Sequence, residues 1–277
     1  ASLRALAAAG GRPDWIIVDH YGLDARWESA LRPACGSLMA IDDLADRPHA
    51  CDLLLDQNLY ADPDSRYAGR APDGCRLLIG PAYALLREDF PAARARRRAR
   101  DGSLRRLLVF FGGSDPGDET SKALGAVRIL AKAFPGLETD VIVGASNPHR
   151  DQVEARCADT PGTRFHCQVG NMADLMARAD LAIGAGGTAT WERCCVGLPA
   201  IAAILAENQR ELLENAHRHG VLASLGWSDR LTAEDYARAA SGLGPSSLRQ
   251  METRCLELVD GRGSERVADA LSAGKGG

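Results

Sequence analysis

No apolar run in these 277 residues approaches the roughly 18–20 residues of a membrane-spanning helix, so no membrane partner is expected. The eight cysteines form no Cys-x-x-Cys pair and no His/Cys cluster at zinc spacing, which removes the common structural zinc modules. Several, such as Cys75, Cys194 and Cys195, stand beside apolar residues and read as small buried side chains in a reduced, cytoplasmic setting. Excess positive charge is lacking as well. The formal net charge is −4, which argues against nucleic acid as the main partner. The one dense basic run, Arg94 to Arg106, falls where a linker is expected and reads as a solvated interdomain helix or loop. A Gly-x-x-x-x-Gly-Lys-Ser/Thr loop is absent, which excludes a P-loop NTPase. No Gly-x-Gly-x-x-Gly is followed by an acidic residue about twenty positions on, so no dinucleotide cofactor is expected.

Glycine-rich turns are what the chain does have. Residues 184–201, Gly-Ala-Gly-Gly-Thr-Ala-Thr-Trp-Glu-Arg-Cys-Cys-Val-Gly-Leu-Pro-Ala-Ile, follow a short apolar run, Leu181 to Ile183, that reads as a buried strand. Such a turn between strand and helix lets a backbone approach a ligand closely and aims N–H groups at an anion. Glu192 falls on the first turns of the helix, within reach of a hydroxyl pair. A second turn of the same kind, Gly112-Gly113-Ser114-Asp115-Pro116, follows the apolar run Leu107 to Phe111. Two such turns in one half of a chain predict two loops at the carboxyl edge of one parallel sheet, where α/β proteins bind ligands. The layout suits a nucleotide diphosphate held by backbone, with one carboxylate on its ribose.

Length, with 45% hydrophobic and 25% charged residues, fits an ordinary two-domain globular protein. The patterning predicts strands at Trp15–Val18 (buried), Leu38–Ile41, Cys51–Leu55 and Arg76–Ile79, with a helix over Leu23–Leu31. The boundary is expected after Phe90, near Asp101-Gly102-Ser103, giving domains 1–100 and 101–277. Beyond it, strands are predicted near 105–111, 139–143, 163–167, 180–183 and 199–204. Helices are predicted at about 118–134, 148–158, 171–178, 189–196 and 207–219. A helical pattern over 232–272 breaks at Gly244-Pro245 and Gly261-Arg262-Gly263. This alternation implies a doubly wound parallel sheet. The start, Ala1 with an alanine-rich helix-like stretch, leaves the first half thin, and an N-terminal truncation is expected.

The second half resembles the nucleotide-sugar domain of GT-B enzymes, in particular MurG-type N-acetylglucosaminyltransferases. The resemblance lies in Gly113-Ser114, Gly-Gly-Thr-Ala-Thr-Trp-Glu, Val-Gly-Leu-Pro-Ala and Glu207-Asn208-Gln209. In the first half, Val-Asp-His-Tyr-Gly-Leu-Asp, Asp-Asp-Leu-Ala-Asp-Arg, Cys-Asp-Leu-Leu-Leu-Asp-Gln-Asn and Gly-Pro-Ala-Tyr-Ala-Leu-Leu-Arg-Glu-Asp-Phe resemble the PseG family. Those enzymes are the UDP-2,4-diacetamido-2,4,6-trideoxy-β-L-altropyranose hydrolases of pseudaminic acid synthesis. The resemblance covers about residues 14–270. It implies two Rossmann-like, doubly wound α/β domains facing a cleft, the first incomplete. It also implies metal-independent, inverting cleavage of the anomeric C–O bond of a UDP-sugar by water, without a cofactor; a monomer is expected. By the same resemblance, Glu192 binds the ribose hydroxyls, and Gly112, Gly113 and Ser114 with Gly187, Thr188 and Thr190 hold the diphosphate. Backbone near Val169 faces the uracil, Asn208 and Gln209 meet the hexose, and Tyr21 lines the sugar side. The Gly-x-Gly-His loop that carries the family's presumed general base has no counterpart in this sequence.

Departure of UDP needs its growing charge stabilised, and attack by water gains about 10²–10⁴ in rate from a general base. His20, at a strand end, is the nearest visible substitute, with a local turn-shaping role as its alternative. A MurG-type transferase and a catalytically weak nucleotide-sugar-binding fragment are the competing readings. Asp42, Asp43 and Asp46 form a carboxylate cluster, but it matches a family motif and no metal is expected there. Asp62-Pro-Asp64 reads as a turn. His149, His166, His217 and His219 read as surface or packing residues.

Overall fold

The computed structural model describes residues 10–274 together with Arg4, Leu6 and Ala8. The alanine-rich opening therefore lies largely outside the described residues. Two compact units divide the chain, Ala1–Leu85 with Arg262–Gly277, and Leu86–Gly261. The division differs from the expected one at Asp101. It falls earlier, and the chain returns to the first unit at its end.

The first unit carries β1 (Trp15–Asp19), α1 (Ala25–Leu31), β2 (Ser37–Ile41), β3 (Leu53–Asp56) and β4 (Arg76–Ile79). The strands are parallel, in the order β1-β2-β3-β4. Among the described residues this sheet has no reversal of strand order. Asp24 caps α1, its carboxylate accepting from the Arg26 N–H at 3.0 Å. β2 and β3 are apolar and buried, whereas β1 is an edge strand. The Trp15–Val18 run is thus only partly buried: Val18 is covered, but Ile17 is 53% exposed. An all-apolar run marks a strand without saying whether both of its faces are covered. The last helix, Gly263–Ala273, packs Val267 and Ala270 against Met39, Leu53, Leu55 and Leu78. Gly263 lets this happen, since a Cβ there would lie 2.2 Å from the Ala84 carbonyl oxygen.

The second unit begins with α2 (Asp89–Arg96), then alternates β5 (Arg106–Phe110), α3 (Glu119–Ala133), β6 (Glu138–Val143), α4 (Arg150–Ala158) and β7 (Thr163–Cys167). It continues with α5 (Met172–Arg178), β8 (Leu181–Ala185), α6 (Ala189–Cys195), β9 (Ala200–Ile204), α7 (Glu207–Arg218), β10 (Leu222–Trp227), α8 (Ala233–Gly242) and α9 (Pro245–Leu258). All six strands are parallel, in the order β10-β9-β8-β5-β6-β7. The order runs outward in opposite directions from β5 and β8, so those two strands flank the topological switch point. Leu107, Val109, Leu181, Ile183 and Ile201 form the core with Val127 and Leu130 of α3 and Tyr236 of α8. β10 is the one strand that the patterning does not predict. It is a half-buried edge strand interrupted by Ser224 and Gly226, without the apolar run that marked the others.

The basic run corrects another expectation. Arg94 to Arg106 lies inside the second unit, and although Arg96, Arg98 and Arg105 are exposed, Arg94 and Arg100 are tied into its fold. Arg94 donates to the carbonyls of Cys195 (2.9 Å), Val259 (2.9 Å) and Leu256 (3.0 Å). Arg100, 6% exposed, donates to Met176, Ala177 and Ala179 at the end of α5, to Val196 and Gly197 after α6, and to Glu252. Helix ends leave carbonyls without intrahelical partners and carry partial negative charge, and the guanidinium fork answers both needs.

Candidate functional site

A cavity of about 580 Å³ opens at the switch point of the second unit. It is lined by the β5 turn (Phe110–Pro116), the β8 turn with the start of α6 (Ala185–Ala189 and Glu192), and Leu205, Ala206 and Gln209. The two glycine turns predicted to converge do so because β5 and β8 are hydrogen-bonded neighbours, Phe110 paired with Gly184. Gly112 (φ 94°) and Gly187 (φ 100°) occupy backbone conformations that L side chains rarely adopt. A Cβ added at Gly112, Gly113 or Gly187 would meet nothing within 4 Å, so the missing side chains leave open space. The N–H groups of Gly187, Thr188 and Ala189 have no backbone acceptor among the described residues. The first N–H of this turn to find one is that of Thr190, on Gly187 O at 2.9 Å.

The β5 turn works differently from a bare helix start. Asp115 is buried and accepts from Glu119 N (3.0 Å), Thr120 N (2.9 Å) and Thr120 Oγ1 (2.6 Å). Donors at the head of α3 are thus already satisfied, leaving an incoming anion the glycine turn itself. Gly144, just past β6, sets the position of that turn, because a Cβ there would lie 2.3 Å from Gly113 O. Gly144→Ala should displace the turn and cost on the order of 1–3 kcal/mol, the range for overpacking. Urea unfolding checks this, and a loss under about 0.5 kcal/mol would contradict the tight approach.

Glu192 is half-buried on the cavity wall, and no hydrogen bond holds its carboxylate among the described residues. Burial pushes its carboxyl up, opposed by the charges of Arg87 and Arg193. An open acceptor pair on a cavity wall suits two vicinal hydroxyls. Gln209 also lines the cavity, its Oε1 accepting from Leu205 N at 3.1 Å. Thr190 requires correction. It is 1% exposed, and its Oγ1 accepts from Arg193 Nη2 at 3.1 Å on the inner face of α6. Alternation around α6 sends its side chain inward, away from the cavity. Asn208 is exposed on α7 and Val169 half-buried after the edge strand β7; neither lines the cavity. Gly112, Gly113, Ser114, Gly187, Thr188, Glu192 and Gln209 are the predicted residues that it brings together.

In the first unit, His20 and Tyr21 follow β1 at the carboxyl edge of its sheet. His20 Nδ1 accepts from Gly22 N at 2.9 Å, so the imidazole shapes the turn. Tyr21 is 57% exposed and hydrogen-bonds Asp43, whose carboxyl burial pushes up. Asp42, Asp43 and Asp46 are not gathered as a set of metal ligands among the described residues. Asp42 is buried against Arg47 (2.7 Å), Ala45 N (2.8 Å) and Tyr67 Oη (3.0 Å), whereas Asp46 is exposed. Asp56, the second aspartate of Cys-Asp-Leu-Leu-Leu-Asp-Gln-Asn, is fully buried against Arg66 (3.0 Å), Tyr60 and Tyr67, and burial pushes its carboxyl up to about 6. Glu28, His49 and Cys51 bring one oxygen, one nitrogen and one sulfur within 4.8 Å of one another. Both Glu28 oxygens are already taken, however, by His49 Nδ1 (2.8 Å) and the Ala50 N–H. The set is a closed acid–imidazole pair. Asp62 accepts from Ser65 as a turn residue should. His149, His166 and His217 meet Pro116 O, Asp140 and Leu222 O.

No family model matches the chain. It is 31% identical over 201 residues to the spore coat polysaccharide biosynthesis protein SpsG of Bacillus subtilis (strain 168), covering 71% of this chain and 58% of that protein. It is 40% identical over 76 residues to the UDP-2,4-diacetamido-2,4,6-trideoxy-beta-L-altropyranose hydrolase of Campylobacter jejuni, 27% of each chain. The chain thus spans little more than half the length of SpsG. Among solved structures, MurG of Acinetobacter baumannii matches with a TM-score of 0.66 at 12% identity, over 98% of this chain and 76% of that one. The fold is accordingly GT-B-like, built of Rossmann-like parallel α/β units. Among the described residues no helix is long and apolar enough to cross a membrane.

Proposed function

We propose that the chain binds a uridine diphosphate-sugar through the β5–β8 cavity and serves its hydrolysis at the anomeric carbon. The observation that carries this is the pairing of two open glycine turns with the unengaged Glu192 carboxylate on one cavity wall. The turns suit a diphosphate, and the carboxylate suits the ribose diol. The residue of this cavity that suits the sugar is Gln209. Water adds through oxygen to the anomeric carbon as that carbon's bond to the diphosphate breaks. UDP leaves with the electron pair, and the water proton passes to a base. Support for hydrolysis over transfer comes from the first-half motifs and the short 40% match to the Campylobacter hydrolase. Transfer to an acceptor is the second reading, favoured by the likeness to SpsG and by the MurG-like fold. Incubation of a UDP-diacetamido-trideoxy sugar without acceptor separates them: free sugar and UDP support hydrolysis, and turnover only with an acceptor supports transfer.

Glu192→Gln tests the binding half. It should weaken UDP and uridine by about 1.5–3 kcal/mol, the scale of hydrogen bonds to a charged group. Pyrophosphate, lacking the ribose, should bind within about twofold of the unsubstituted chain. Equal loss of UDP and pyrophosphate in calorimetric titrations would mean a damaged turn and would overturn the ribose assignment.

A further inference from the structure

Arg193 lies directly behind the cavity wall and is 2% exposed. Its Nη2 donates to Ala185 O at 2.9 Å and to Thr190 Oγ1 at 3.1 Å, and its Nε has no hydrogen-bond partner. Its Nη1 lies 3.1 Å from where a Cβ on Gly184 would stand. The guanidinium is therefore packed under the end of β8, one backbone layer from Ala185 and Gly186 of the cavity lining.

No carboxylate oxygen lies within 4.0 Å of this guanidinium among the described residues, the adjacent Glu192 included. Arg100, the other deeply buried arginine, has Glu252 at 3.1 Å and five carbonyls besides. An arginine keeps its charge when buried, and a buried charge lacking a counter-ion destabilises the fold. Among the described residues only two neutral oxygens meet Arg193. A backbone cross-link of that modest kind does not require a cation, and a smaller polar group could serve it. A positive charge in low dielectric does act across a backbone layer on an anion in the adjoining cavity.

We propose that Arg193 is the buried counter-charge for the diphosphate, raising affinity for the anion through the cavity wall without touching it. The proposal rests on the reading that this cavity takes a nucleoside diphosphate. It makes Arg193 a positioning residue of the binding site whose unpaired charge is neutralised when the ligand arrives. Folding stability and ligand charge are thereby linked at this one residue.

The test compares Arg193→Met, which keeps the bulk without the charge, with Arg193→Lys, which keeps the charge and loses the fork. Uridine, UDP and pyrophosphate are titrated into each full-length chain by calorimetry, and urea midpoints are measured without ligand. Arg193→Met should weaken UDP and pyrophosphate by about tenfold or more while leaving uridine within about twofold, the mark of a lost charge. Its ligand-free urea midpoint should equal or exceed that of the unsubstituted chain. Arg193→Lys should keep most of the preference for UDP over uridine. An unaltered UDP-to-uridine preference in Arg193→Met would overturn the proposal, as would a lower midpoint combined with equal loss of all three ligands. If Arg193→Met does not fold, the lysine variant decides alone, because loss of the preference despite a retained charge also overturns it. Failure of the unsubstituted chain to bind UDP would instead defeat the reading of the cavity.

Discussion

Arg100→Ala should destabilise the protein by about 3–5 kcal/mol, the scale for removing one partner of a buried charged network. One guanidinium serves the carbonyls at the ends of α5 and α6 and the Glu252 carboxylate of α9. Alanine would leave five carbonyls, most of them buried, without this donor, and their desolvation would go largely unanswered. Glu252 would retain Arg97 at 2.9 Å, which moderates the loss. Lysine should recover less than half of it, because an ammonium has three donors and no planar fork. Against a total stability of roughly 5–15 kcal/mol the effect is large and easily read from urea unfolding. A loss under about 1 kcal/mol would show that Arg100 is not holding these helix ends together.

Stability of the first unit should fall by about 3 kcal/mol between pH 6.5 and pH 9.5 on account of His49. Burial alone would lower the pKa of this imidazole, but the Asp42 and Glu28 carboxylates outweigh it and hold the group up at about 9. Glu28 Oε1 lies 2.8 Å from Nδ1, Asp42 Oδ2 lies 3.7 Å from Nε2, and the Tyr67 ring stands edge-on. The folded value lies above the ordinary 6.5. The contribution is therefore fully present below pH 6.5 and disappears as pH rises through 9. A shift from 6.5 to about 9, at 1.36 kcal/mol per unit, gives the magnitude. His49→Gln keeps a donor toward Glu28 but cannot titrate. Its urea midpoints should be flatter over this window than those of the unsubstituted chain. Parallel slopes in the two proteins would assign the pH dependence to other groups, such as the neighbouring Cys51 and Cys75.

Local chemistry determined most of the second unit. Apolar runs of five or so residues alternating with helical stretches place β5 to β9 and α3 to α9 within a few residues of their observed limits. The glycine turns after β5 and β8 are legible for the same reason, since the positive φ at Gly112 and Gly187 leaves few residue choices. What the sequence could not decide is which side of an element faces what. Thr190 and Glu192 lie two residues apart on one short helix. Only the packing of α6 sends the first inward to Arg193 and the second to the cavity. The basic run reads as solvated because charge favours water, but Arg94 and Arg100 are drawn in by helix ends some 80 to 160 positions away. The return of Gly263–Ala273 to the first unit and the burial of Glu28, His49 and Asp56 are likewise decided by distant partners. Periodicity and glycine report the backbone's local preference, whereas burial and charge compensation depend on pairs that only the folded chain brings within reach.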